Sequence, residues 1–280
     1  MVSVSTSVEL HSGSVSARVD RAGARVSSLQ VDGIELLTAL DVPGADASML
    51  SGIFPMAPYA GRVGNGQLDV AGKTYTLPHT LDGHAAHGSV RHLVWEVNAA
   101  DQKTARLSTG LGADWPFEGR AALEVELSET RLLLALSVTA VDEQPVWLGF
   151  HPWFARRLVT SDGHESQPAV LSFEAGAKYA KTVAGLPTGD LVDVGTGPFD
   201  DAFVHVTSVA VEWPNLLQLE LSADTSTWVM FDANQLAVCA EPQTAPPDAL
   251  RLGLAPMLSS GDVATLNFAI VWHLLNSSDA

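Results

Sequence analysis

Apolar and polar residues alternate one for one along much of this chain. Leu123, Val125 and Leu127 alternate with Glu124, Glu126 and Ser128; after the short Glu129-Thr130-Arg131 turn, Leu132, Leu134, Leu136 and Val138 resume the rhythm. Successive side chains of an extended strand point to opposite faces, so this stretch reads as a β-hairpin with one buried and one wet face. The same alternation recurs at Leu217, Leu219 and Leu221, at Leu266, Phe268 and Ile270, and at Val15, Ala17 and Val19. No segment joins a polar cap, a sustained three-to-four apolar rhythm and a glycine stop, as a helix requires. The 23 Gly and 15 Pro are spread along the whole chain, as many short strands joined by turns demand. The pattern predicts an all-β protein with two large antiparallel sheets packed face to face. No linker, compositional break or internal repeat divides residues 1–280, which predicts one domain. Two stretches, 159–162 and 185–198, read as long loops, and such loops in a β domain often wall a binding site.

Composition narrows the classes of partner. With 46% apolar and 17% charged residues the chain supports a sizeable core and does not read as disordered. A net charge of -17 repels phosphate backbones and anionic lipid, so neither nucleic acid nor membrane is an expected partner. Cys239 is the single cysteine, so no intrachain disulfide forms; it reads as a small buried apolar side chain in a reducing compartment. The N-terminal residues carry no leader-like pattern and no apolar run reaches spanning length, which together predict a cytoplasmic protein.

Five places carry candidate chemistry. Glu241 follows the apolar run Leu236-Ala237-Val238 and precedes a proline-stiffened stretch, Pro242 to Pro247, which places it at the lip of a turn. His151 sits in Gly149-Phe150-His151-Pro152-Trp153-Phe154, where apolar neighbours tune an imidazole for proton transfer. A carboxylate and an imidazole on such rigid supports suggest an acid/base pair. Trp153 and Phe154 read equally as core, with one of them suited to a sugar face. Arg62 is the only charge in Phe54-Pro55-Met56-Ala57-Pro58-Tyr59-Ala60-Gly61-Arg62, and its fork suits sugar oxygens, a carboxylate or a surface salt bridge. His84 and His87 share one short segment, His84-Ala85-Ala86-His87-Gly88; two histidines without a third ligand are weak grounds for a metal, and none is expected. Asp200 and Asp201 are adjacent in a predicted strand, so they point to opposite faces and only one is expected in a pocket.

Taken together and in order, these segments resemble the aldose 1-epimerase (galactose mutarotase) family, in its bacterial branch. The likeness runs from about Phe54 to Leu250: the proline-rich loop ending in Arg62, the His87-Gly88 step, the His151-Pro152-Trp153 segment, the Asp200-Asp201-Ala202-Phe203 segment and the Glu241-Pro242 turn. The resemblance implies a β-supersandwich and a cofactor-free isomerase that interconverts the α and β anomers of a free monosaccharide. It implies Glu241 as the base at the C1 hydroxyl and His151 as the acid at the ring oxygen. It further implies that Arg62, His87 and Asp200 bind the sugar, with Asp200 chosen over Asp201; beside them Trp153 is the aromatic expected to contact it. A monomer or homodimer is expected. Ser89 stands where the family often has a large apolar residue, and Ala255-Pro256-Met257 replaces a proline-glycine turn; both bear on which sugar is preferred.

Three other readings compete. A hexose 6-phosphate epimerase of the same fold needs extra cations, for which Arg91, Arg156 and Arg157 are candidates. A non-catalytic sugar-binding protein has no need of both Glu241 and His151. A glycoside hydrolase would use Glu241 and Asp200 as its carboxylate pair and leave His151 without a role.

Overall fold

The computed structural model describes residues 6–40 and 49–275. Residues 1–5, read above for a leader, lie outside the described residues. The alternating segments are strands. Gly119–Leu127 and Arg131–Ala140 form the expected hairpin, closing at the pair Leu127↔Leu132. Val15–Asp20, Leu217–Ala223 and Val263–Leu274 also follow the alternation, with Val15, Ala17, Val19, Leu217, Leu219, Leu221, Leu266, Phe268 and Ile270 buried. Among the described residues helical structure is limited to short 3₁₀ turns such as Gly64–Gly66 and Val90–His92. None of the helices is long and apolar enough to cross a membrane.

Two antiparallel sheets hold most of the chain. The smaller has eight strands, with Arg131–Ala140, Val263–Leu274 and Leu217–Ala223 at its centre. The larger has twelve, and its central strands in spatial order are Ile53–Met56, Gly149–Pro152, Ala237–Gln243, Thr227–Phe231 and Asp200–Val204. Alternate residues of the larger sheet face the smaller one. Phe150 stacks on Phe268 with ring centroids 5.7 Å apart, and Trp228 meets the same ring edge-on at 6.0 Å. Phe203, Met230 and Ala240 join this shared core. The residues between them point to the opposite face, where the candidate site lies.

Pairing register decides which residues meet on that face. Ala202 is opposite Val229, Val229 opposite Glu241, and His151 opposite Phe54. Gly149–Pro152 and Ala237–Gln243 pair at Gly149↔Gln243, and the same register resumes at Phe154↔Val238. Continued through the interval, it sets His151 directly across from Glu241. No ladder pair is made inside that interval, and Pro242, with no N–H to donate, lies within it.

Two expectations change. Glu241 is inside a fully buried central strand, Ala237–Gln243, and the prolines that follow form the turn it was expected to border. The stretch 185–198 is not one loop, because Pro187–Val192 is a strand; residues 159–162 form a turn held by the bridge Val159↔Glu165. Cys239 is buried as expected, and burial raises its thiol well above the ordinary value.

The His-Gly step needs its glycine. His87 and Gly88 both have positive φ, +61° and +76°, and a Cβ on Gly88 would lie 2.1 Å from the Ala57 carbonyl oxygen. Gly33 also has positive φ, +80°, but faces open space. Gly33→Ala is expected to lose about 1 kcal/mol, from backbone conformation alone. Gly88→Ala adds steric overlap with rigid backbone and is expected to lose roughly 2 kcal/mol more. Urea unfolding of the two variants compares them directly; equal losses would contradict the packing assigned to Gly88.

Candidate active site

A cavity of about 290 Å³ opens on the outer face of the larger sheet, and Arg62, His87, His151, Asp200, Glu241 and Gln243 all border it. Five of these six are residues singled out from the sequence. Apolar groups, among them Met49, Leu81, Val229 and Phe231, make up much of the remaining wall. Gly185 and Pro187 complete it, so the region expected to wall a site does so; residues 159–162 do not reach it.

At the floor, His151 Nε2 lies 3.3 Å from Glu241 Oε1, and both residues are buried. The imidazole is clamped between two rings. Trp153 stacks on it with centroids 4.9 Å apart at 14°, and Phe54 stacks at 4.9 Å and 25°. His87 meets it edge-on at 5.1 Å. With both faces covered, only the ring edge can exchange a proton, and Nε2 is the edge turned to Glu241. Gln243, two residues along the same strand and so on the same face, donates Nε2–H to Glu241 Oε2 at 3.3 Å.

Burial disfavours charge on both partners. It lifts the Glu241 carboxyl well above the usual carboxylate range; the Asp200 charge adds to this, while the Gln243 hydrogen bond and Arg62 oppose it. It pushes His151 down to about 3, with the Arg91 guanidinium acting in the same direction. His87 is held well below its ordinary value by burial, then by His151, Arg91 and Arg62. Both shifts run in the same sense: burial works against an ion pair at this contact and favours a carboxyl proton shared with a neutral imidazole.

The other sequence-derived residues divide by what holds them. Arg62 pairs with Asp82 at 3.6 Å, the salt bridge weighed for it, and also borders the cavity. His87 reaches the cavity, with Nδ1 3.1 Å from Met56 Sδ. His84 turns away: its Nδ1 accepts from the Asn65 N–H at 3.0 Å and its Nε2 lies 3.3 Å from the Ala184 carbonyl. The two histidines do not converge, and no cluster of three metal-binding side chains occurs among the described residues. Both Asp200 and Asp201 border the cavity, contrary to the expectation of one. Their carboxylates differ, however. Asp201 is engaged by Lys178 at 3.3 Å and Lys181 at 3.2 Å, whereas Asp200 makes no ion pair among the described residues. Trp153 borders the cavity, is 5% exposed, donates its indole N–H to the Met49 carbonyl at 2.8 Å and stacks on His151.

Arg91, Arg156 and Arg157 do not border the cavity. Arg91 is buried, Arg156 donates to the carbonyls of Asp232, Asn234 and Ala237, and Arg157 donates to that of Ser166. Gln243, Phe54 and Lys181 border or support the site and were not singled out from the sequence. Gln243 had a usable signal, its two-residue spacing from Glu241 in a strand. Phe54 and Lys181 had none, since their proximity comes from pairing between distant segments.

The sequence profile of the family described as aldose 1-epimerase matches residues 6–254. No curated protein matches the sequence. Solved structures share the fold at low identity. The aldose epimerase homologue from C. elegans superposes with a TM-score of 0.81 at 17% identity, covering 98% of this chain and 100% of that one. A galactose mutarotase-like protein from Clostridium acetobutylicum gives 0.80 at 17%, over 96% and 95%. Galactose 1-epimerase from Lactobacillus acidophilus gives 0.78 at 16%, over 96% and 95%. The fold is the galactose mutarotase-like β-supersandwich.

The raised Glu241 carboxyl has a consequence for stability. Its native form keeps a proton that the unfolded chain releases above about pH 4.3, so stability is full below that pH and falls as pH rises toward the native value. His151 acts in the other window: its native value is lowered, so stability is full above about pH 6.5 and falls as pH drops toward 3. Glu241→Gln removes only the first effect. Its melting temperature is expected to exceed that of the parent at pH 8 and to converge with it near pH 4, the gain in unfolding free energy being up to about 1.4 kcal/mol for each pH unit crossed. Thermal unfolding at the two pH values measures this; a variant less stable at pH 8 than at pH 4, relative to the parent, contradicts the protonated resting state.

Proposed function

The chain belongs to the aldose 1-epimerase family, and on that premise we propose that it interconverts the α and β anomers of a free aldose, with Glu241 as base and His151 as acid. The observation that carries this reading is the buried contact between the two side chains at the floor of a sugar-sized cavity. Ring opening takes one proton from the C1 hydroxyl and places one on the ring oxygen. A pair that stores a single proton, with an acceptor at each end, matches that demand.

In the proposed cycle the sugar's polar groups enter the cavity, and the proton passes from Glu241 to His151. Arg62 and the Gln243 amide both favour the carboxylate that remains. Glu241 takes the C1 hydroxyl proton, His151 gives its proton to the ring oxygen, and the C1–O5 bond breaks to leave an open-chain aldehyde. Rotation about C1–C2 presents the other carbonyl face. Closure reverses the roles: Glu241 returns a proton to the new C1 oxygen and His151 recovers one from the C5 hydroxyl. The pair ends with the one proton it began with. Arg62, His87 and the unpaired Asp200 carboxylate bind hydroxyls. The substrate is unphosphorylated on this reading, because the cavity's cations, Arg62 and Lys181, are already matched by Asp82 and Asp201.

Polarimetry or NMR exchange on freshly dissolved α-anomers of several hexoses tests the activity, and equilibration no faster than in buffer across the panel would favour a binding protein instead. Glu241→Gln is expected to abolish exchange while leaving sugar binding mostly intact. His151→Ala is expected to lose roughly 10²-fold or more, the usual contribution of one positioned acid. Full activity in either variant removes that residue from the cycle.

The two aspartates offer a second check. Asp200→Ala is expected to raise KM with a smaller change in kcat, whereas Asp201→Ala, which releases only the lysine pairs, is expected to be mild. Saturation kinetics distinguish them, and the reverse order would show that the wrong aspartate was chosen.

A further inference from the structure

Gln243 is wholly buried, borders the cavity, and uses only one end of its amide. The Nε2–H donates to Glu241 Oε2 at 3.3 Å. Its Oε1 is buried and meets no hydrogen-bond donor among the described residues. A buried amide oxygen left unmatched is unfavourable, and in a native protein it marks a place where something else donates. The backbone around it is fully engaged. Gly149 and Thr227 are its ladder partners on either side, and the Thr225 hydroxyl donates to its carbonyl at 2.8 Å. The side chain is therefore not needed by the backbone around it, and what sets it apart from a methionine or leucine of similar size is the amide itself: one end given to Glu241, the other turned to no donor among the described residues.

We propose that Gln243 both positions the base and binds the substrate: its Nε2 holds Glu241 Oε2 so that Oε1 faces His151, and its own Oε1 accepts a hydrogen bond from the sugar hydroxyl next to the anomeric carbon. The inference rests on the mutarotase reading, since it takes C1 to lie at Glu241. Because the Gln243 amide and the Glu241 carboxyl are adjacent on one strand face, the hydroxyl within reach is the one on C2. The inference therefore assigns the substrate class as aldoses that retain a 2-hydroxyl, with 2-deoxy sugars handled poorly.

The geometry also ties Gln243 to the proton held by the pair. The amide donor stabilises the ionised carboxylate and not its protonated form. Removing it lowers the share of the one-proton pair in its productive arrangement, which reduces the plateau of kcat/KM. It also makes the last proton harder to lose, which moves the alkaline limb of the profile upward. A residue that merely filled space would lower the plateau and leave the limb where it was.

Gln243→Met keeps the shape and removes both hydrogen bonds. The expected result is an alkaline limb displaced upward by about one pH unit, together with a loss of the parent's discrimination against 2-deoxyglucose relative to glucose, a difference of about tenfold in kcat/KM. Should the methionine variant fail to fold, Gln243→Asn withdraws the amide by one methylene and serves the same comparison. Carboxyl ¹³C NMR of the glutamates, assigned by Glu241→Gln, reads the Glu241 titration without any turnover. An inactive parent enzyme would overturn the mutarotase reading. An active parent whose folded Gln243 variants keep the alkaline limb and the deoxy-sugar penalty unchanged would overturn the role of Gln243 alone.

Discussion

The site depends on strand register. His151 and Glu241 belong to distant segments, and no local feature brings them together. Two ladder contacts do so, Gly149↔Gln243 on one side and Phe154↔Val238 on the other. Because side chains alternate with period two, a slip of one residue would turn His151 or Glu241 into the inter-sheet core. What prevents the slip is the core itself. Phe150 is locked against Phe268, and Trp228, on the strand beside Glu241, packs against the same ring. The apolar residues on one face of the larger sheet thus fix His151 and Glu241 on the other. The ladder is interrupted only where the pair meets, so two backbones stay aligned while their side chains have room for a substrate.

Once aligned, the pair is governed by desolvation. A buried ion pair repays the loss of hydration only with good geometry and further hydrogen bonds. The neutral arrangement needs one shared proton and no counter-charge, and it is the one that burial favours. The two stacked rings hold the imidazole plane without offering a hydrogen bond, so they fix direction and leave basicity to the surroundings. Reactivity is then supplied by whatever enters. On the proposed reading a sugar brings hydroxyl dipoles into a largely apolar space, where each has far more effect than it would in water. The buried arrangement that suppresses charge at rest is the one that makes ligand dipoles effective.

Much of the architecture was legible in the sequence because alternation is a direct record of which face each residue shows. The hairpin at 123–138 and the strands around Leu219 and Phe268 are cases in point. Glu241 was less legible. A proline at position 242 in a central strand contradicts the ordinary pattern, so the residue read as turn-bordering; the missing ladder contacts across the interval make the proline tolerable. The Asp200-Asp201 pair shows the limit of period-two reasoning. Both residues border the cavity near the edge of the sheet, and what separates them is the two lysines that hold Asp201, a contact from another strand that no local pattern encodes. The same holds for Arg91, Arg156 and Arg157, whose charge was visible and whose burial or engagement with backbone carbonyls was not.

The prolines after Glu241 still matter, by a different route from the one their position suggested. Gly61 approaches Pro247 so closely that a Cβ there would lie 2.7 Å from the ring. Next in the chain, the buried Asp248 accepts from the Gly64 N–H at 2.9 Å, and its own N–H donates to the Arg62 carbonyl at 2.6 Å. Arg251 pairs with the same carboxylate. The segment that carries Glu241 into the sheet therefore also anchors the loop that carries Arg62. On the far side of that loop, His84 links Asn65 to Ala184, beside the Gly185 wall. A mouth tied at both ends by backbone hydrogen bonds has little freedom to close around different ligands. On the proposed reading, selectivity then rests on the side chains that line the cavity, Arg62, Asp200, Gln243 and the apolar wall, rather than on loop movement.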